Sequence, residues 1–380
     1  MKVLTLSPYF ESHRGGVELV AGRLAREFAH RGCEVTWLAC DASPAPPAEP
    51  GLAAVSIAAL NITERRLGTP FPIPSPSGVA AIAAAARNCD IVVAHDGLYL
   101  PTQIAARAAR RAGKPVLIVQ HIGAIPYRNP LLRGAMSAAN ALLAAPLLAR
   151  ADQVVFISRT TAAFFADVRF SAPPAEIFNG VDTAVFRAAD DPAAARAGFG
   201  LPADRPVALF VGRFVERKGL AILRRVAGER ADITFAFAGW GHLDPAAWGL
   251  GNVAVFGGLA GEGLARLYQG ADLLVLPSRG EGFPLVVQEA LASGLPVVCG
   301  AETAAADPAA SSFLTPVDLT AGDDGDRARR VGAAVGKVLA AGRADAAERH
   351  AFAERRYSWS AAGDKYLALM RPLVERSGRA

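Results

Sequence analysis

The chain has 380 residues, of which 52% are hydrophobic and 20% charged, and its formal net charge is +5. That length holds two ordinary domains with a core each, and that composition excludes a disordered or fibrous chain. The cationic excess is mild and the arginines are scattered, so it suits an anionic substrate or membrane surface and does not call for nucleic acid. Cys33, Cys40, Cys89 and Cys299 form no CxxC pair, and three of them lie in apolar, strand-like or helix-flanking surroundings. They read as buried thiols in a reducing compartment, with no metal cluster. The N-terminus MKVLTLSPYF reaches Pro8 too early for a secretory core, and no apolar run is long enough to span a bilayer. A cytoplasmic location is the expectation.

The first half alternates short apolar runs with helical stretches, the pattern of a parallel sheet covered on both faces. Residues 3–7 read as the first strand. Gly15 and Gly16 open a helix over 17–30 with Leu19, Val20, Leu24 and Phe28 on one face, and Gly32 ends it. Further strands are expected at 34–39, 91–94, 116–120 and 154–157. Residues 42–76, rich in Pro and Ala, carry loop character. Residues 129–151 form an apolar, mostly helical stretch that Pro146 should kink or break, with Arg128, Arg133 and Arg150 along or beside it. Such a segment suits the core of the first domain or a peripheral contact with an anionic membrane.

Residues 172–206 hold several prolines and the turn Asn179-Gly180, and read as the connection between domains. The alternation then repeats, with strands at 207–211, 234–238, 253–256, 273–276 and 296–299. Residues 301–324 are less regular, and 344–376 are largely helical. Two such units predict two doubly wound α/β domains with a cleft between them, where ligands bind at the carboxyl ends of the strands.

The most informative stretch is EGFPLVVQEALASGLP, from Glu281 to Pro296, directly after the strand at 273–276. Pro284 suits the first turn of a helix, where its missing N–H costs nothing. The amides of Gly282, Phe283 and Leu285 would then face the ligand, and a helix start of this kind accepts a diphosphate. Glu289 lies further along the same helix; side chains there lean toward the N-terminus, so its carboxylate can reach ribose hydroxyls. Glu281, in the loop, could meet sugar hydroxyls. Alone, each Glu reads as a solvated surface residue; the string as a whole does not.

The segment GRFVERKG places Arg213 and Lys218 at the end of the strand 207–211. Two cations there clamp phosphate oxygens and act on the charge that a leaving nucleoside diphosphate develops. The bland alternative is an exposed basic loop, which fits Arg217 better. Gly15 and Gly16 would let backbone approach a ligand closely, although two glycines also make an ordinary turn. His121 follows the strand 116–120, and His95 holds a similar place one strand earlier, next to Asp96. A neutral His at a strand end can donate to or accept from a hydroxyl. His13, His30, His242 and His350 read as surface or loop.

Taken together, GGVE at Gly15 to Glu18, His121, NGVD at Asn179 to Asp182, GRFVERKG and the E-x7-E pair Glu281 and Glu289 make the chain resemble a retaining glycosyltransferase of family 4. The resemblance covers nearly the whole chain and implies the GT-B architecture, with two facing Rossmann-like domains. Residues 1–178 would bind the acceptor and 179–357 the nucleotide-sugar donor, with a C-terminal helix, 358–380, crossing back to the first domain. By the same resemblance Arg213 and Lys218 would hold the donor diphosphate and Glu289 the ribose. Glu281 with the Gly282, Phe283, Pro284 and Leu285 backbone would hold the sugar and phosphates. Gly16 would approach the diphosphate from the other domain, and His121 would lie near donor sugar and acceptor, with His95 and Asp96 on the acceptor side. The implied reaction moves a hexosyl group from a UDP- or GDP-sugar to a sugar or lipid-linked hydroxyl, in glycan, polysaccharide or glycolipid biosynthesis. No metal and no cofactor are implied, because Arg, Lys and a helix start take the place of a cation. Gly239-Trp240-Gly241-His242 stands where the family carries small polar residues. Three other readings remain open: a sugar phosphorylase or synthase of the same architecture, a non-catalytic nucleotide-binding protein, and an oxidoreductase, although no GxGxxG follows the first strand.

Overall fold

A computed structural model describes residues 1–13, 15–62, 64, 71–123, 130–280 and 283–378. The chain divides into two compact units, Met1–Asn179 with Trp359–Ala380, and Gly180–Ser358. Each is built around one parallel sheet.

The strands of unit 1 are β1 (Lys2–Leu6), β2 (Glu34–Cys40), β3 (Leu52–Ile57), β4 (Ala59–Leu60), β5 (Ile73–Pro74), β6 (Ile91–His95), β7 (Val116–Gln120), β8 (Gln153–Phe156) and β9 (Ala175–Glu176). Seven of them form a sheet in the order β3-β2-β1-β6-β7-β8-β9, each neighbouring pair parallel. The strand order reverses between β1 and β6, which is where a doubly wound sheet opens a crevice at its carboxyl ends. Strands such as β6 and β7 read as unbroken apolar runs because helices cover both faces; every residue of both is buried. Leu4, Leu38, Val92, Ile118 and Val154 form the middle of the core.

The sequence left 42–76 as loop, yet β3 lies inside it as an edge strand paired with β2 along six residues, Val35↔Leu52 to Cys40↔Ile57. Its composition, LAAVSI, is poor in β-branched and aromatic residues, so the sheet's own register supplies what local preference does not. The first helix, Gly16–His30, buries Val20, Leu24 and Phe28 as expected, but Leu19 is 40% exposed. The stretch around Pro146 stays helical: Pro130–Ala139 passes through a π turn, Asn140–Ala144, into Ala145–Arg150. The π turn falls at the position four residues before Pro146, where an α-helical carbonyl would clash with the proline ring. Its two ends differ in burial: Leu147 and Leu148 are in the core, whereas Leu131 and Leu142 are 81% and 75% exposed. No helix among the described residues is long and apolar enough to cross a membrane.

Unit 2 contains β10 (Val207–Phe214), β11 (Thr234–Gly241), β12 (Val253–Phe256), β13 (Leu273–Leu276), β14 (Val297–Gly300) and β15 (Leu314–Val317). Their order is β12-β11-β10-β13-β14-β15, again all parallel, with the reversal between β10 and β13. The less regular region 301–324 therefore also supplies a strand, β15, and a short helix, Ala301–Ala305. All four cysteines are buried and free.

The last helix, Trp359–Ser377, belongs to unit 1. It lies along Gly16–His30: the rings of Phe28 and Tyr366 meet at 6.0 Å, and Arg31 donates to Asp364 and to the Ser360 carbonyl, both at 2.8 Å. Tyr366 is 2% exposed, so truncating it leaves a large cavity between the two helices. Tyr366→Ala is expected to cost about 3–5 kcal/mol in urea unfolding of unit 1; an unchanged midpoint would show that this helix contributes nothing to the unit.

Candidate functional site

In unit 2 Arg213, Lys218 and the start of the helix Leu285–Ala292 lie at or just beyond the carboxyl ends of β10 and β13. β10 runs on to Phe214, so Gly212 and Arg213 lie within the strand and pair in register with Gly239 and Trp240 of β11. The backbones are very close here. A Cβ on Gly239, whose φ is 155°, would stand 1.9 Å from the Gly212 carbonyl oxygen, and one on Gly241 would stand 2.2 Å from that of Phe214. Only glycine fits on either side of Trp240, and the indole, 48% exposed, is held out at the strand end beside Arg213.

After Val215 the chain makes one 3-10 turn, Glu216–Lys218, which Gly219 ends in the left-handed region at φ 78°. Lys218 folds back over the strand end: a Cβ on Gly212 would lie 3.8 Å from its Nζ. A Cβ on Gly219 would lie 2.2 Å from the carbonyl oxygen of Pro277, the residue that follows β13. The Arg279 amide donates to the Arg217 carbonyl at 3.2 Å and clips the two loops together. The third loop joins through Gly280, whose amide donates to Glu302 Oε2 at 3.0 Å, and through Gly300, where a Cβ would lie 2.9 Å from the Ser278 carbonyl.

Glu281 and Gly282 lie outside the described residues. Phe283 beyond them is 1% exposed, with its ring 5.4 Å from Tyr357. Pro284 is the N-cap of the helix Leu285–Ala292, one position earlier than the first turn expected for it. At that position its ψ of 140° is extended and its missing N–H still costs no helical bond. Leu285 is the first helical residue, so the amides of the first turn open on the loop that follows β13.

Glu289 stands on this helix with its Oε2 accepting a 2.8 Å hydrogen bond from the Tyr268 hydroxyl. Burial raises its pKa to about 7, and the hydrogen bond from Tyr268 opposes the rise. Tyr268 lies on the buried face of the helix Gly261–Gly270 and has no exposed surface. Neither Tyr268 nor Glu302 was found from sequence. A tyrosine on an amphipathic helix reads as core, and Glu302 lies in a stretch without clear periodicity.

In unit 1, Gly15 caps the first helix and Gly16 begins it. A Cβ on Gly16 would meet nothing within 4 Å, whereas one on Gly15 would overlap Glu18, whose carboxylate folds back over the helix start. His13, read from sequence as surface, is drawn in instead: its ring stacks on Tyr9 with centroids 4.1 Å apart and hydrogen-bonds Glu64 at 2.6 Å.

At the carboxyl ends of β6 and β7, His95 Nδ1 and His121 Nε2 are 3.0 Å apart. Burial keeps both rings neutral at physiological pH; His121 is pushed down to about 3 and His95 well below its ordinary value. Asp96 next to them has φ 69°, a left-handed conformation that Asp tolerates better than most residues. Its carboxylate accepts from the Leu98 amide at 3.0 Å, the Ile122 amide at 3.0 Å and Gln120 Nε2 at 3.1 Å. Asp96 is fully buried and ties the two strand ends together; burial lifts its pKa to about 6 against those hydrogen bonds. Within unit 2 the NGVD motif binds locally: the Val181 amide donates to the Tyr357 carbonyl at 2.6 Å, and Asp182 caps the Ala184 and Val185 amides.

Comparison with known proteins agrees with this fold. Residues 14–185 match Glycosyltransferase Family 4, and residues 205–321 match Glycosyl transferases group 1. The chain is 30% identical over 392 residues to D-inositol 3-phosphate glycosyltransferase 1 of Catenulispora acidiphila, covering 95% of this chain and 91% of that one. It is 28% identical over 367 residues to the D-inositol 3-phosphate glycosyltransferase of Acidothermus cellulolyticus, covering 86% and 78%. Among solved structures, sucrose-phosphate synthase from Thermosynechococcus elongatus superposes with a TM-score of 0.81 at 20% identity, over 99% of this chain and 100% of that one. Anabaena HepE, in complex with UDP-glucose, gives 0.72 at 19% identity over 98% and 100%. Two doubly wound parallel sheets, the loops at their carboxyl ends and these relatives lead to one assignment: the chain is a glycosyltransferase of GT-B architecture and belongs to glycosyltransferase family 4.

Proposed function

We propose that the protein moves a hexosyl group from a UDP- or GDP-sugar to a hydroxyl acceptor with retention of anomeric configuration and without a metal ion. The observation that carries this reading is the backbone junction of the loops after β10, β13 and β14, which brings the Lys218 amine and the start of the helix Leu285–Ala292 to one end of one sheet. A diphosphate bound there meets fixed positive charge from Arg213, Lys218 and the helix amides. HepE, a fold neighbour, holds UDP-glucose, which supports the donor class.

In the proposed reaction the bond between the anomeric carbon and the diphosphate oxygen breaks. The negative charge gathering on the diphosphate is stabilised by cations already in place. The acceptor oxygen bonds the anomeric carbon on the same face, and its proton passes to the departing diphosphate. Glu289 accepts hydrogen bonds from the ribose hydroxyls, and Tyr268 fixes its carboxylate for that purpose. Glu281 and the backbone of Phe283 and Leu285 hold the sugar and phosphates. In unit 1, His121 and Gly16 serve the substrates.

Lys218→Ala and Glu289→Ala should each lower kcat/KM for the donor by about 10- to 100-fold, the loss of one charged interaction, and Lys218→Ala should leave the unfolding midpoint unchanged. Wild-type turnover should survive excess chelator, and proton NMR of the product should show the donor's anomeric configuration. Inversion, or activity that needs added magnesium or manganese, contradicts the proposal.

The Glu289 carboxyl gives a pH dependence. Its folded pKa, about 7, lies above its ordinary value, so the unfolded carboxyl ionises first. Stability therefore declines as pH rises between the two values, while the ionised form that binds ribose becomes available. Donor kcat/KM should rise through about pH 7. Tyr268→Phe removes a hydrogen bond to the ionised form and should move that limb up by about one unit. A limb that stays in place or moves down would separate Glu289 from donor binding.

A further inference from the structure

The two histidines at the ends of β6 and β7 are chemically unequal. The rings lie side by side with centroids 5.2 Å apart and an interplanar angle of 28°. His95 has no exposed surface, whereas His121 is 8% exposed, so His121 is the member that can meet a ligand. Its Nε2 is already engaged by His95 Nδ1 at 3.0 Å, which leaves Nδ1 as the nitrogen to face a substrate.

Both rings are neutral, so a single proton lies between Nδ1 of His95 and Nε2 of His121, and its position sets the form of each ring. If His121 donates, His95 must carry its own proton on Nε2, and His121 shows a bare lone pair outward. If His95 donates, its Nε2 holds only a lone pair, and His121 carries its proton on the outward Nδ1. His95 Nε2 is completely buried and has no hydrogen-bond partner among the described residues. A buried N–H with no acceptor is the rarer defect in folded proteins, so the second arrangement is favoured. The carboxylate of Asp96, the nearest in sequence, accepts from Leu98, Gln120 and Ile122.

We propose that His95 is a positioning residue: it donates Nδ1–H to Nε2 of His121, fixes His121 in its Nδ1–H form, and so makes His121 a hydrogen-bond donor to a substrate sugar oxygen and not a base. This rests on the reading above that His121 meets the sugar. It agrees with a transfer in which the departing diphosphate takes the acceptor proton, since no base is then required. His95 itself touches no substrate; it acts through the ring that does.

The test joins a spectroscopic readout to kinetics. Nitrogen-15 NMR of the imidazoles in the intact protein near neutral pH should show both His95 and His121 protonated on Nδ1, with His95→Asn and His121→Asn providing the assignments. If both rings are protonated on Nε2, the proposal is overturned. His95→Asn places an amide N–H near the position of Nδ1 and should keep kcat within about threefold, whereas His95→Leu should lower kcat on the order of 10- to 100-fold with donor KM little changed. Equal kcat in the two variants, whether high or low, assigns His95 a purely structural role. If His95→Leu does not fold, the wild-type spectrum and His95→Asn still decide. Failure of the wild-type protein to bind any nucleotide sugar in calorimetry would count against the donor reading alone, because the NMR result judges the histidine pair independently.

Discussion

The contact between Gly219 and Pro277 is the constraint on which the proposed donor site depends. At φ 78°, with a carbonyl oxygen 2.2 Å from where a Cβ would stand, Gly219 brings the loop after β10 against the loop after β13. These two strands flank the point where the sheet order reverses, so a junction there closes the floor of the crevice that a doubly wound sheet leaves open. Lys218 precedes that glycine and is turned back over Gly212 by the same 3-10 turn. Gly239 and Gly241 do the corresponding work one strand over, letting β10 and β11 continue together past the sheet and hold Arg213 beside Trp240. Positive charge held by close-packed backbone needs little reorganisation when negative charge develops beside it.

Burial sets the chemistry of the groups around this frame, with different results in the two units. Glu289 is lifted to about 7, close to the pH at which a carboxylate must be ionised to accept from ribose, and Tyr268 limits the rise. His95 and His121 are held neutral by the same loss of solvent, which removes them as charged groups and leaves hydrogen-bond direction as their remaining property. Asp96 pays for its burial with three hydrogen bonds, and its work is to hold the ends of β6 and β7 in register with each other.

Much of this was legible in the sequence because strands and glycine-bearing strand ends leave strong marks. β7, β12 and β13 fall where their apolar runs predict them, GRFVERKG runs out of the end of β10, and the helix Leu285–Ala292 follows β13. Legibility fails where tertiary contact supplies the order. β3 is an edge strand whose apolar run is diluted by Ala53, Ala54 and Ser56, and the π turn before Pro146 relieves a clash that local rules read as a break. Leu19 follows the helical period only loosely and turns outward. At the site, Tyr268, Glu302 and the pairing of His95 with His121 were invisible, because each joins residues at least 21 positions apart that no single motif contains.

The central claim is that unit 2 holds a nucleoside diphosphate sugar through Lys218 and its neighbours. The most direct measurement is a thermal-shift titration of the wild-type protein and Lys218→Ala with UDP, GDP, UDP-glucose, GDP-mannose and NAD, since a ligand that binds only the folded state raises the melting temperature with concentration. The account predicts a saturable rise for the wild type with one nucleotide and its sugar, no rise with NAD, and loss of the rise in Lys218→Ala without a lower ligand-free melting temperature. A rise with NAD alone, or an undiminished rise in Lys218→Ala, would contradict it.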